Sequence, residues 1–427
     1  MYAKSLHVDE FRDAFGVAQL FFLQGIRLMT SLISNYFTLK LKRPLQAVML
    51  LLLAGLLLPS VSLAYLGLCC AHCGGNMPLN VPGGGIPEPK EFRFKISQMF
   101  MSMGPLRSGT TNLSEGSLLG NPIATPGTYA VVPSAMQMHM TMLGAAYSFS
   151  DNFALMAMTS FNFNRMQMEF NTALPPLAAT GQSGFTMESQ GLGDIKLLGK
   201  YRLYMDDHLA PKDQVSALFG VSVPTGSIDK KFRNSPVAGQ NGTILPFKMQ
   251  LGSGTFDPML GLAYQGSLDP FWYGATALYT ARVYDNNRGY QQGDEFRLDV
   301  YGMYQFHQKF VSHLQLNGSW EDRYSDEPDA GRLGQGHFLG NPANPFASPV
   351  FDPANYGGKK LAITAGIQWQ PLPLNVIELT GSVPFYQDLR GPQLKEDFRV
   401  MLSWYIELPT KQSRRHTGTK PPKELGF

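Results

Sequence analysis

The chain has 427 residues and a formal net charge of +3, and only 16% of its residues are charged, well below the roughly 25% of an average soluble protein. Aromatics reach 12% and glycines number 44, yet the mean hydropathy is −0.11, so polar and apolar residues are interleaved instead of gathered into long runs. The charge balance carries no nucleic-acid footprint, and the composition suits a membrane β-barrel, whose lumen-facing residues offset the hydropathy of its lipid-facing ones.

One long apolar run occurs, Leu45 to Leu68, preceded by Lys40, Lys42 and Arg43; within it LQAVMLLLLAGLLL is followed by Ser62 and Ala64 at spacing that signal peptidases accept. A basic region, an apolar region and small residues describe a secretory signal peptide cleaved after Ala64. The rival is a retained anchor, because the run is long enough to span a bilayer. Residues 1–64 are therefore assigned to an N-terminal extension and signal peptide. Met29 would be a more ordinary start than Met1.

The mature chain begins near Tyr65 and meets LCCAHCGG, which holds all three cysteines, Cys69, Cys70 and Cys73. His72 and Met77 add two soft or borderline donors nearby. Two thiols at CxxC spacing can form a disulfide or chelate a soft ion such as copper. Without a His directly after Cys73 the motif is not a haem attachment site. Gly and Pro residues then make a helix-hostile lead-in, so residues 65–90 read as a periplasmic tail or a plug of the lumen.

From Glu91 a two-residue period recurs, as expected of strands whose side chains alternate between faces. In FRFKIS, Phe92, Phe94 and Ile96 oppose Arg93 and Lys95. In MQMHMTML, Met136, Met138, Met140 and Met142 oppose Gln137, His139 and Thr141; a copper track is one reading, and thioethers as lipid-facing apolar groups are the reading preferred here. Phe153 to Phe170 forms the next strand, and its phase changes near Arg165, which suggests a bulge or emergence from the membrane. GLGDIKLLGKYRLY follows, with Asp194, Lys196, Lys200 and Arg202 on one face and Ile195, Leu197, Tyr201 and Leu203 on the other. Glu295, Arg297 and Asp299 oppose Phe296, Leu298 and Val300, and His313, Glu321 and Arg323 oppose Leu314 and Leu316. Near the end, Arg399 opposes Phe398, Val400 and Trp404.

Counting gives an all-β, transmembrane antiparallel barrel of about 12 strands over residues 91–409, followed by a polar tail at 410–427. Short and long connections alternate, so one rim carries tight turns and the other long loops, as in outer-membrane barrels with periplasmic turns. Trp272, Trp320, Trp369 and Trp404 are candidates for the interfacial girdles. A soluble sandwich is the alternative, but it has no need of charges along one face of nearly every strand. The lumen-lining set is then Asp194, Lys196, Lys200, Arg202, Glu295, Arg297, Asp299, His313, Glu321, Arg323 and Arg399.

The stretches GLGDIKLLGKYRLY at 191, VSVPTG at 221, GSGTFDPMLGLAY at 252 and VPFYQDLRGPQLKEDFRV at 383 resemble the outer-membrane proteins associated with the meta pathway of phenol degradation, a family of transporter-like barrels. The resemblance implies passage of a small molecule, aromatic or otherwise apolar. The chain departs from the family pattern in the CCAHC segment and in the tail after the final strand.

No G-x-S-x-G elbow, Walker loop or HExxH motif is present, and the GLG of Gly191 to Gly193 opens a strand, not a helix, so it is no dinucleotide fingerprint. The sequence therefore points to a non-enzyme. It reads as a bacterial outer-membrane channel with lipid and a small solute as partners, and with no resident cofactor. The alternative is a barrel that binds a soft metal ion through Cys69, Cys70, His72, Cys73 and Met77, or docks a periplasmic redox or metal-handling partner there.

Overall fold

Among the described residues, thirteen strands form one antiparallel sheet: β1 (Glu91–Gly109), β2 (Thr111–Asn112), β3 (Val131–Ser148), β4 (Phe153–Phe170), β5 (Gly184–Leu192), β6 (Ile195–Met205), β7 (Asp213–Val223), β8 (Asp257–Leu268), β9 (Phe271–Thr280), β10 (Glu295–His307), β11 (Phe310–Glu321), β12 (Gly358–Trp369) and β13 (Asn375–Pro409). They are seen in a computed structural model that describes residues 77–84, 89–121, 125, 127–207, 212–325 and 346–413. The signal peptide, the three cysteines and the last residues of the tail lie outside the described residues. No helix among the described residues is long and apolar enough to cross a membrane.

The sheet closes on itself. Its order runs β13-β12-β11-β10-β9-β8-β7-β6-β4-β3-β1, and β1 pairs back with β13 from Glu91↔Pro409 onward. Closure removes the edges that would otherwise leave backbone groups unpaired in lipid. β13 reverses at Gly391 (φ +66°), so that Gln387 Nε2 donates to Glu396 O at 2.8 Å and Glu407 N to Leu374 O at 2.9 Å. Eleven elements in the closed path, one of them doubled, make twelve staves. β5 and β6 share one stave, because both pair with β4 over different spans.

Tight connections (149–152, 269–270, 308–309, 370–374) join strands at one rim, and the strand ends from which the long connections depart, at Gly109, Phe170, Val223, Thr280 and Glu321, lie at the other. The faces follow the sequence alternation. Leu197, Tyr201 and Leu203 are exposed outward, whereas Lys200 and Arg202 are buried inside. Rings near the tight-turn rim stack in pairs, Phe271 on Tyr304 at 4.7 Å and Phe310 on Trp369 at 6.3 Å, as an interfacial girdle requires. Trp272 does not join it. It points inward and packs against Met77, Leu79 and Val81.

The wall is taller on one side. β7 to β12 have 10 to 13 residues, close to the 9–11 that a tilted strand needs to cross a bilayer. β1, β3 and β4 have 18 or 19. Their surplus rises above the apolar belt, and there the faces invert. Outward positions Arg165, Gln167 and Glu169 are exposed, while Met166, Met168 and Phe170 are buried inside. β4 carries no extra residue near Arg165: its pairing with β5 is continuous, and the one shift in its pairing with β3, between Pro133 and Ala135 opposite Met168 and Gln167, places the extra residue, Ser134, in β3. The phase change in β4 therefore marks emergence from the membrane and not a bulge of that strand. β1 does bulge, at Ser102 to Leu106, where exposed Pro105 is tolerated because no ladder bond is needed.

The methionine stripe is the clearest departure from expectation. Met136, Met138, Met140 and Met142 pair in register with Met103, Met101, Met99 and Ser97, all on the inner face, while Gln137, His139 and Thr141 point outward. The alternation was legible, but it does not say which face is which: beside Met140 and Met142 the outer face still carries exposed Leu143 and Phe161, whereas beside Met136 it carries Arg165 and Gln167 and packing lies inside. Met103, Met136, Met166 and Met187 stand side by side across β1, β3, β4 and β5. They belong to a core filled by Phe232, Leu245 and Met249 of loop 224–256 and by Phe346, Val350 and Phe351.

Candidate functional site

Residues 77–84 lie inside the barrel at the tight-turn end, with Met77, Leu79 and Val81 buried among Tyr301, Met303, Val311, Val376 and Tyr405. Inward side chains hold the segment by its backbone. Glu378 accepts from Leu79 N at 3.1 Å through both carboxylate oxygens, Lys95 Nζ donates to Leu79 O at 2.9 Å, and Arg297 Nη2 donates to Asn80 O at 3.1 Å. Asn80 and Gln315 exchange a reciprocal amide pair, at 2.9 and 2.8 Å. Glu378 also contacts His313 Nε2 at 3.3 Å and accepts from Gln368 Nε2 at 2.7 Å. Buried carboxylates persist only when so satisfied.

The wall behind this segment is a continuous polar network. Asp299 receives Arg297 Nε at 2.6 Å and Asn317 Nδ2 at 2.6 Å, and Thr364 donates to Asn317 Oδ1 at 2.6 Å. Lys200 Nζ donates to Gln265 at 2.9 Å and lies 3.9 Å from the Met77 sulfur. The structure thus gathers Lys200, Arg297, Asp299 and His313 around the inner segment. Glu378, Lys95, Gln315 and Gln368 complete that setting and were not singled out from sequence. Their inward parity was the available signal.

A second cluster lies at the long-loop rim. Where β5 passes into β6, Asp194 accepts from Gly226 N at 2.9 Å and from Ser253 N at 2.9 Å. Thr225 Oγ1 accepts from Ile195 N at 2.9 Å and donates to Gly193 O at 3.0 Å. Ser253 and Thr255 hold Asp257 at 2.7 and 2.5 Å, and Arg282 pairs with it. A Cβ at Gly252 would lie 2.4 Å from Asp194 Oδ1, so only glycine fits. Three separate sequence stretches, GLGD, VPTG and GSGTFD, therefore meet in one knot that fixes both ends of loop 224–256. Asp194 serves this knot.

A family model described as "MetA-pathway of phenol degradation" matches residues 120–343, a span that contains all three stretches of the knot. The chain belongs to this family. No curated protein matches it. Among solved structures it is similar to an outer-membrane channel from Pseudomonas putida F1, at 11% identity over 75% of this chain and 96% of that one, with a TM-score of 0.48. It is also similar to a TodX monoaromatic hydrocarbon channel mutant (9% identity, 74% and 91% covered, TM-score 0.39) and to a Pseudomonas aeruginosa FadL homologue (11%, 74% and 90%, 0.33).

In this phenol-degradation family barrel of outer-membrane type the remaining charges sit higher. Glu321 meets Lys248 of loop 224–256 at 3.4 Å, and Arg399 chelates Glu396 at 2.8 Å. Glu295 is half-buried on the inner face, under the charges of Lys196, Arg297, Arg282 and Lys248. Lys196 itself is exposed, and Arg323 lies beyond β11 on the long loop, also exposed. Met77 is the one described member of the soft-ligand set; Cys69, Cys70, His72 and Cys73 lie outside the described residues.

Proposed function

We propose that this protein is a passive outer-membrane channel for small uncharged solutes, including apolar ones, with residues 77–84 narrowing its periplasmic mouth. The observation that carries the reading is the closed ring of twelve staves with an apolar belt outside and a hydrogen-bonded polar interior inside. A purely structural barrel needs no polar lumen. Lipid and solute are then its partners. A periplasmic partner would meet the protein at the tight-turn mouth, where residues 77–84 enter.

Solute-swelling of liposomes holding the full chain tests this. Urea and glycerol should enter faster than into empty liposomes. Glu378→Gln, which weakens the grip on Leu79 N, should raise the rate and admit a larger solute such as glucose. Folded barrel that passes none of these solutes would refute the channel.

A further inference from the structure

The outward face of β1 and β3 carries polar side chains at a height where the rest of the barrel meets lipid with apolar ones. Gln98 of β1 pairs in register with Thr141 of β3 and with Leu402 of β13, and Thr141 pairs with Phe161 of β4. These positions lie on the membrane side of Arg165, where β4 leaves the belt. Thr141 Oγ1 donates to Gln98 Oε1 at 2.6 Å, and the Gln98 Nε2 amide has no acceptor among the described residues. His139, next along the same face of β3, lies 4.9 Å from the Phe100 ring and 6.3 Å from that of Phe163. Gln98, Thr141 and His139 are only half-buried, so they are reachable from outside the wall, and Leu143 and Phe161 beside them are each 49% exposed. Elsewhere the outward belt positions are of another kind: Leu260 and Leu262 on β8, Leu298 and Val300 on β10, Leu314 and Leu316 on β11. No other described strand places an amide on its outward face within the belt.

Acyl chains offer no hydrogen-bonding group, so an unpaired amide that faces them costs free energy which a protein partner removes. Two barrels inserted the same way share the bilayer normal, and a residue of one therefore meets residues of equal height on the other. At the height of Gln98 the outer wall offers an amide acceptor only at Gln98 itself. A carboxamide is self-complementary, because it donates and accepts at once and its oxygen has two lone pairs; Asn80 and Gln315 already pair in this reciprocal way inside the barrel. We propose that this face is an interface between two copies of the chain, related by a two-fold axis along the membrane normal. The two Gln98 amides bond to each other across the axis, each oxygen keeping its Thr141 hydroxyl, and Leu143 and Phe161 pack around them. Such an isologous contact uses one patch twice and belongs to the commonest symmetry of oligomers. His139, whose neutral ring has one donor and one acceptor, repeats the pairing nearer the membrane surface. The interface is independent of what the lumen passes.

Photo-crosslinking tests this with the full chain refolded into vesicles of phospholipid and lipopolysaccharide over a series of lipid-to-protein ratios. A benzoylphenylalanine placed at Leu143 should give, on illumination, an adduct containing two copies of the chain. One placed at Leu262, away from the patch, should not. In Gln98→Leu the lipid-to-protein ratio at which half of the Leu143 adduct is lost should fall about tenfold, the worth of two mutual hydrogen bonds within a membrane. Gln98→Asn, which keeps a shorter amide, should lower it less. Leucine in place of a lipid-facing amide does not endanger the barrel, and heat-modifiable migration on a gel verifies the fold of each variant. A Leu143 adduct to lipopolysaccharide in place of a second chain, no adduct at all, equal two-chain yields at Leu143 and Leu262, or an unchanged half-loss ratio in Gln98→Leu each overturns the interface.

Discussion

The belt of this barrel and the part that rises above it are built from the same strands with opposite rules. In the belt, Phe92, Phe94, Leu155 and Leu262 face outward and are exposed, while Arg93, Ser97, Asp299 and Gln315 are buried inside. Above it, Gln167 and Glu169 face outward, and Met136, Met166 and Met187 pack inside against loop residues. A strand's alternation fixes two faces, but the solvent on each side decides which face is apolar. Lipid outside demands an apolar outer face and leaves the inside free to carry polar groups, whereas water outside demands polar groups there and puts a hydrophobic core inside.

The core above the belt should therefore respond to truncation as a soluble core does. Met166→Ala removes a side chain that is 3% exposed and should cost about 2–5 kcal/mol, read as a shift in the urea unfolding midpoint. An effect below about 1 kcal/mol would mean that the loops do not pack on this wall.

The outer faces separate the regions next. Leu262→Arg places a charge against lipid and should destabilise by about 2–4 kcal/mol near the bilayer midplane. Gln167→Arg, outward on the raised wall, should stay within about 0.5 kcal/mol, as for surface substitutions elsewhere. Refolding of both variants into lipid vesicles compares them directly, and equal costs would erase the distinction.

Much of this was legible in the chain. The parity of Lys200 and Arg202 against Leu197 and Leu203 gave the barrel and its orientation, and loop lengths gave the two rims. The phase change at Arg165 was visible as well, but sequence could not choose between a bulge and an exit from lipid, because the choice rests on pairing with β3 and β5. The methionine stripe was misassigned for the same reason: periodicity reports that two faces differ, not what lies beyond each. Asp194 looked like one more lumenal charge. Its role in the knot depends on Gly226 and Ser253, which are distant in sequence. The grip on residues 77–84 likewise joins Leu79 to Glu378 across 299 positions, a contact that no local pattern announces.

The gentlest probe leaves stability untouched and locates the boundary itself. Spin labels at Leu197 and Gln167 occupy the outer face at the two heights, and one at Lys196 occupies the inner face. Collisional accessibility should report lipid at Leu197 and water at both other sites. Gln167 is the informative position, because β4 itself runs through it unbroken and stays in register with β5, the extra residue opposite it lying in β3 at Ser134, so nothing in the β4 backbone marks the change of surroundings. If a label at Gln167 reported lipid, the wall would not rise above the bilayer, and Met166 and its neighbours would have to be read as lumen lining throughout.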